Sequence, residues 1–415
     1  MSTYENRMKR IQKAIDLKES DRVPWAPYCQ EFLAYNAGYT MKDLVYDLGK
    51  AKKAFVKFVQ DWNVDMLLQI PNNNVGMGPV WEKLKMKNLA WAGGPDHRIG
   101  DNSIHQFLEY PLLKEEEMEE FCSDFTGWLI TKGFARTAGI FEGMSGWKFN
   151  RVNPTFNALV NAADILSTPE SKKMIRELWE LSGLVQDRKG KIREIETTIE
   201  EMGFPVLDKG GAAVPFDRYS DIYRGTLDAM TDLYDYEDEV LAYCRQNLRV
   251  MKGMIREQGR FLKGKWVFMA LHKGMDGFLS DEQYAKFYWK DLLEIVEEII
   301  ACGMVPYIFT EGKYNTRLKY LKDLPKGKCV VHIEDCDMKE VKRLLGDTAC
   351  IEGGFPAYLL EHGTKEEVVD KCKELIDDCA GGGGYIFSTD CGIGNAKPEL
   401  LEAAMDTVLT YGRKY

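Results

Sequence analysis

Residues 305–335 read VPYIFTEGKYNTRLKYLKDLPKGKCVVHIED. Two runs within this stretch, VPYIFT at 305–310 and KCVVHI at 328–333, are short and rich in β-branched or aromatic residues, and polar residues follow each. Such runs suit strands buried on both faces in a parallel sheet covered by helices. Upstream, KWVFMAL at 265–271 reads as a strand of the same kind, and Ser280 to Cys302 as a helix with Ser280 as N-cap and Gly303 as terminator. Downstream the alternation continues: helix Met338 to Leu345, strand Ala349 to Ile351, helix Thr364 to Cys379, strand Tyr385 to Ser388 and a final helix from Pro398 to Tyr411. This is the rhythm of βαβ units. It fits half of a (β/α)₈ barrel or one flank of an open parallel sheet, and spacing alone favours neither.

The N-terminal half is less regular. Val64 to Gln69 reads as a strand after a helix that begins near Met41, and Asn72 to Pro111, rich in Gly, Asn and Trp, reads as an irregular or hairpin insertion over a barrel top. The charged run Asp187 to Glu201 reads as a solvated helix face. Gly381 to Gly384 precede a strand, whereas a dinucleotide-binding loop follows one, so these glycines read as a loop with positive φ and close backbone approach.

Composition narrows the class. The 415 residues are 45% hydrophobic and 29% charged, which describes a globular chain able to bury a large core. A net charge of −10, with no basic stripe, argues against nucleic acid as a partner. No apolar run suits a membrane span, and Met1 to Lys18 lacks the apolar centre of a signal peptide, so the expected location is cytoplasmic. The 10 cysteines form no CxxC pair, a reduced-thiol pattern in which most are small buried apolar residues. One elaborated domain over residues 1–415 is expected, and a homodimer is compatible with that reading.

Polar residues at strand ends carry the functional signal. Successive strand residues alternate faces, so His332 and Glu334 are expected to project together at the mouth of a barrel. Glu311 follows five apolar or β-branched residues, where burial is costly without a partner. Cys391, with Asp390 beside it, follows the last strand. Glu311, His332 and Cys391 make an O, N, S set suited to Zn²⁺ with a fourth position open to substrate. The rival reading is a buried ion pair of His332 with Glu334 or Glu311 and no metal. His272 and Asp276 lie at and after another strand end, and His97, His105 and His362 read as surface residues.

At these residues the chain resembles the uroporphyrinogen decarboxylase superfamily. The likeness begins at DRVPWAPY (21–28) and is most specific in GGGGYIFSTDCGIGNAKPELLEAAMDTVLTYG (381–412). It implies a (β/α)₈ TIM barrel with N-terminal and top-face insertions. The superfamily includes zinc-dependent methyltransferases that exchange methyl groups with corrinoid proteins. The decarboxylase carries an arginine motif after its DRVP-like start, but this chain reads PWAPYCQEFLAYNAGY (24–39), with no arginine. The thiol-methylating members carry an HxC pair where this chain has Phe309 and Glu311, and their remaining zinc cysteine falls at Cys391. Exchanging thiolate for carboxylate favours an oxygen over a sulfur substrate.

The resemblance therefore implies an O-demethylase methyltransferase. Zinc on Glu311, His332 and Cys391 would polarise the ether oxygen of a methoxylated aromatic, and the Co(I) corrinoid of a separate partner protein would accept the methyl group. Glu334 would orient His332 or serve as an alternative ligand that completes the metal shell in place of Cys391, with Asp390 the weaker alternative. Tyr28, Asn73, Phe216, His272, Met275 and Phe309 are the expected substrate contacts, and 20 Tyr, 19 Phe and 9 Trp make an aromatic cavity easy to supply. The competing expectations are a metal-independent decarboxylase of a carboxylated substrate and a non-catalytic corrinoid-binding module.

Overall fold

The computed structural model describes residues 3–68, 74–147, 155 and 160–414. Its centre is a parallel sheet of β1 (Asp208–Gly211), β2 (Trp266–Leu271), β3 (Val305–Lys313), β4 (Val330–Asp335), β5 (Cys350–Gly353) and β6 (Tyr385–Ile386), paired in that order. Two further staves close it into a (β/α)₈ barrel. Trp25 bridges Phe387 in parallel and Leu67 bridges Val206 in parallel, while the amide of Asp65 donates to the carbonyl of Trp25 at 2.8 Å. The expected strand at 64–69 is thus reduced to a single bridge at Leu67, and Gln69 lies outside the described residues.

This thinly laddered seam is fastened by a side chain. Asp65, fully buried, accepts from Arg10 Nη1 at 2.5 Å, from Arg22 Nη1 at 2.6 Å and from the amide of Trp25 at 2.7 Å. One carboxylate therefore ties both closing staves to α1 (Thr3–Ile15). On its other face α1 buries Ile11, Ala14 and Ile15 in the same apolar cluster as Trp266, Val330 and Ile386, so it caps the end where the strands begin. Gly383 (φ +84°) is pressed so close that a Cβ there would lie 2.3 Å from the Lys18 carbonyl carbon, which accounts for the glycine run as close approach.

Alternate residues of every stave fill the barrel: Ala26, Tyr28, Met66, Leu68, Leu207, Trp266, Tyr307, Phe309, Val330, Cys350 and Ile386. The other residues of the same strands, such as Val267, Met269, Ile308, Val331 and Ile351, face the helical layer outside. The register sets Phe309 opposite His332 and His332 opposite Glu352.

The sequence signals for helices hold in detail. Ser280 caps its helix through a box with Gln283, although a π turn at Ala285–Trp289 interrupts that helix before Lys290–Ala301. Thr364 caps Lys365–Cys379 in the same way. The charged run 187–201 ends a 33-residue helix, Pro169–Glu201, whose Ile192, Ile195 and Ile199 face the core. The insertion contains the antiparallel pair Leu89–Ala90 and Gln106–Phe107. No helix among the described residues is long and apolar enough to cross a membrane.

Candidate active site

The C-terminal ends of β1 to β3 hold a network centred on His272. The chain after β1 turns into a short helix, Pro215–Arg218, that widens into a π turn, Tyr219–Arg224. Asp217 and Asp221 lie four residues apart on this segment and so share a face. Asp221 Oδ2 lies 2.5 Å from His272 Nδ1, and Glu311 Oε2, at the end of β3, lies 3.2 Å from His272 Nε2. Lys273 Nζ reaches Asp221 Oδ1 at 3.0 Å. Asp217 accepts from the amides of Lys273 at 2.7 Å and His272 at 3.3 Å, and from the hydroxyl of Tyr288 at 2.5 Å.

These contacts set the charge states. Burial lowers the His272 pKa, but hydrogen bonds to Asp221 and then Glu311, with their charges, outweigh burial and raise it to about 10. His272 is therefore an imidazolium at neutral pH, donating from both ring nitrogens. Burial raises Asp221 as well, yet His272 and Lys273 bring it below the ordinary carboxylate value. Asp217 behaves oppositely: full burial, reinforced by the Asp221 charge, raises it to about 7 against the pull of His272 and its donors.

Beside this network a cavity of about 630 Å³ is lined by Gly211, Ala212, Ala213, Asp217, Arg218, Asp221, Ile222, Met251, Met254, Phe268, Ala270, His272 and Lys273, with Phe107 and Glu109 of the insertion. It is largely apolar with a few converging charges, the usual character of a small-molecule site. A second cavity, about 590 Å³, lies over β4 and β5 and is lined by Glu334, Asp335, Asp337, Glu374, Asp378 and Asp390 with Lys339 and Lys371. Its acidic lining offers little to an aromatic ring.

His332 is not at the mouth. It shares the inward face with Glu334, as alternation requires, but sits deeper and is fully buried. Its ring stacks on Phe309 with centroids 4.1 Å apart. Nε2 donates to the Asp390 carbonyl at 2.8 Å, and Nδ1 faces Glu352 Oε2 at 3.3 Å and the Tyr307 hydroxyl at 3.4 Å. Both ring nitrogens are thus committed to the protein. Glu311 is 42% exposed and turned to His272. Burial, with Asp390 and Glu334 adding to it, raises the Cys391 thiol to about 12.

The three expected zinc ligands accordingly do not meet in one coordination set, and no group of three or more His, Cys, Asp or Glu among the described residues is arranged to hold a metal. Glu334 lines the second cavity: it accepts from the amide of Gly312, and burial, with the charges of Glu311 and Asp390 adding, raises its pKa. Asp390 serves its own turn, with Oδ1 accepting from the amides of Cys391 at 2.6 Å and Ala357 at 2.9 Å.

Of the expected substrate contacts among the described residues, only His272 lines the apolar cavity. Tyr28 and Phe309 are barrel filling, their rings 5.6 Å apart. Phe216 is fully buried outside the barrel against Tyr219 and Phe287, because the helical turn that presents Asp217 to the cavity points its neighbour the other way. Met275 packs on Gly312, where its Cε would lie 2.8 Å from an added Cβ. Asn73 lies outside the described residues. His97, His105 and His362 are exposed, as expected.

Sequence reasoning missed Glu352, Asp217, Asp221, Lys273 and Arg218. A signal for Glu352 exists: it is a carboxylate in the run CIEG, in a strand that continues two residues past Ile351 to Gly353. For Asp217 and Asp221 the signal was their spacing of four after a Gly-Ala-rich strand end.

The family model for uroporphyrinogen decarboxylase (URO-D) matches residues 166–411, more than half of the chain. Among solved structures, a methyltransferase from Methanosarcina mazei superposes with a TM-score of 0.61 at 13% identity, over 98% of each chain, a likeness of fold. A B12-independent methionine synthase from Shewanella sp. W3-18-1 aligns over 39% of this chain and 65% of its own at 16% identity, and its TM-score of 0.23 bears no weight. No curated protein matches the sequence. The barrel and the family match agree, and the chain belongs to the uroporphyrinogen decarboxylase (URO-D) family.

Proposed function

We propose that the chain is a methyltransferase that demethylates a methoxylated aromatic compound and passes the methyl group to the corrinoid of a separate protein. The observation that carries this reading is His272, an imidazole kept cationic by Asp221 and Glu311 on the wall of an apolar cavity of about 630 Å³. The methyltransferase fold neighbour is consistent with it.

The barrier in cleaving an aryl methyl ether lies in the departure of phenolate. A phenol has a pKa of about 10, and His272 is raised to about 10. Proton transfer from its Nε2 to the departing phenolate oxygen is then near balance, and withdrawal of Glu311, one of the groups that raise the His272 pKa, favours it further. Glu311, at 42% exposed, is the partner that yields to substrate, whereas Asp221, at 24%, keeps Nδ1 and the ring orientation. Asp217 fixes the backbone of His272 and Lys273 from below. The partner's corrinoid supplies the methyl acceptor, a Co(I) nucleophile. Activation of the ether oxygen falls in this reading to His272, since Glu311, His332 and Cys391 are not placed to share an ion.

Purified protein incubated with a reduced corrinoid protein and a methoxylated aromatic should yield phenol and methylcobalt in equal amounts, followed by chromatography and cobalt absorbance. Release of carbon dioxide from a carboxylated substrate with no methylcobalt would replace this reading with the decarboxylase.

A further inference from the structure

Arg218 also lines the apolar cavity, and it is the cation there that lacks a carboxylate partner among the described residues. Its neighbours are all taken. Lys273 and His272 share Asp221, Arg224 is paired with Asp232 at 2.7 Å, and Asp217 spends both oxygens on backbone amides and Tyr288. Glu109, on the same cavity wall, accepts from the amide of Thr226. The groups beside the Arg218 guanidinium are the phenols of Tyr223 and Tyr243, which burial keeps above their ordinary value and therefore neutral. Arg218 Nε is buried with no acceptor.

A half-buried guanidinium without a counter-charge is costly, and its planar fork of donors fits a carboxylate with two parallel hydrogen bonds. Arg218 and His272 stand on the walls of one cavity, with Phe268, Ala270 and Met254 also in its lining. We infer that Arg218 is a carboxylate-binding subsite, and that the aromatic substrate is a methoxybenzoate whose ring carboxylate sits on Arg218 while its ether oxygen faces His272. The identity of the ether end rests on the proposed methyl transfer. The carboxylate subsite stands on Arg218 alone.

Calorimetric titration of the full chain with 4-methoxybenzoate, its methyl ester and anisole tests this without turnover. The acid should bind at least about tenfold more tightly than the ester, the ratio for a charge-assisted pair of about 1.5 kcal/mol or more. Arg218→Gln should bring the two within about twofold while leaving anisole unchanged, and Arg218→Lys should keep part of the preference. Equal binding of acid and ester by the wild type overturns the subsite, as does a preference that survives in Arg218→Gln. If that variant fails to fold, the wild-type ratio and Arg218→Lys decide. Acid preference without demethylation leaves the subsite standing and removes the methyl-transfer reading.

Discussion

The molecule contains two imidazole–carboxylate arrangements that use the same groups to opposite ends. Inside the barrel, His332 and Glu352 are both completely buried at 3.3 Å, beneath the ring of Phe309. At the rim, His272 lies between Asp221 and Glu311 with 39% of its side chain exposed, on the wall of a cavity. Glu352 Oε1 has no partner among the described residues, so the interior pair is an under-satisfied structural element. The rim group is fully partnered and one of its partners can leave. Access and the exposure of one partner, rather than residue type, separate the packing histidine from the one to which the proposed chemistry falls.

The sharpest way to break this contrast is to remove each imidazole in turn. His272→Ala should lower demethylation by about 10²–10⁴-fold, the range for a lost general acid, in protein that still folds. Steady-state kinetics and a thermal melt check both halves, and near-full activity would end the assignment. His332→Ala should do the reverse. It leaves a buried carboxylate without its partner and should cost about 3–5 kcal/mol of stability, read from urea unfolding, while protein that remains folded still binds substrate. A stable but inactive His332→Ala would move the chemistry into the barrel.

Asp217 sharpens the comparison through pH. Its pKa rises from an ordinary 3.8 to about 7 on folding, chiefly by burial and then by the Asp221 charge. The folded state thus holds a proton that the unfolded chain releases, so this contribution to stability is complete below about pH 4 and lost as pH rises through about 7. Asp217→Asn should flatten that part of the stability profile, measured by denaturant melts across the range. A slope identical to wild type would show that the carboxyl ionises without cost. His272 shifts in the same direction, and its contribution fades only as pH rises through about 10.

The smallest expected effect concerns metal. Wild-type and His332→Ala proteins should show the same zinc content by elemental analysis, because both nitrogens of His332 already have protein partners. Stoichiometric zinc in the wild type that disappears in the variant would mean the ring can swing outward to join Glu311.

Much of the barrel was legible because its second half obeys local rules. Helix starts at Ser280 and Thr364 carry capping boxes, and apolar runs such as VPYIFT sit where register pairs them. The first half was obscure because its staves at Trp25 and Leu67 are single bridges and owe their place to tertiary contacts that no local propensity encodes. The site was half legible for a different reason. Alternation put His332 and Glu334 on one face, which is right, but period two says nothing about depth, and depth is what buries His332. Arg218, Asp217 and Asp221 were hidden because a helical turn and a π turn, rather than a strand end, bring them to the cavity.

Asp65 gives the barrel an uneven fabric. From β1 to β6 neighbouring staves are stitched by ladders of amides, whereas the join between Trp25 and Leu67 hangs largely on one acidic side chain and the two arginines it clasps. Deuterium should therefore enter this join before it enters β2 to β5. The indole of Trp25, whose Nε1 donates to the Trp62 carbonyl at 3.0 Å, is a built-in optical reporter of the moment the cylinder comes unzipped.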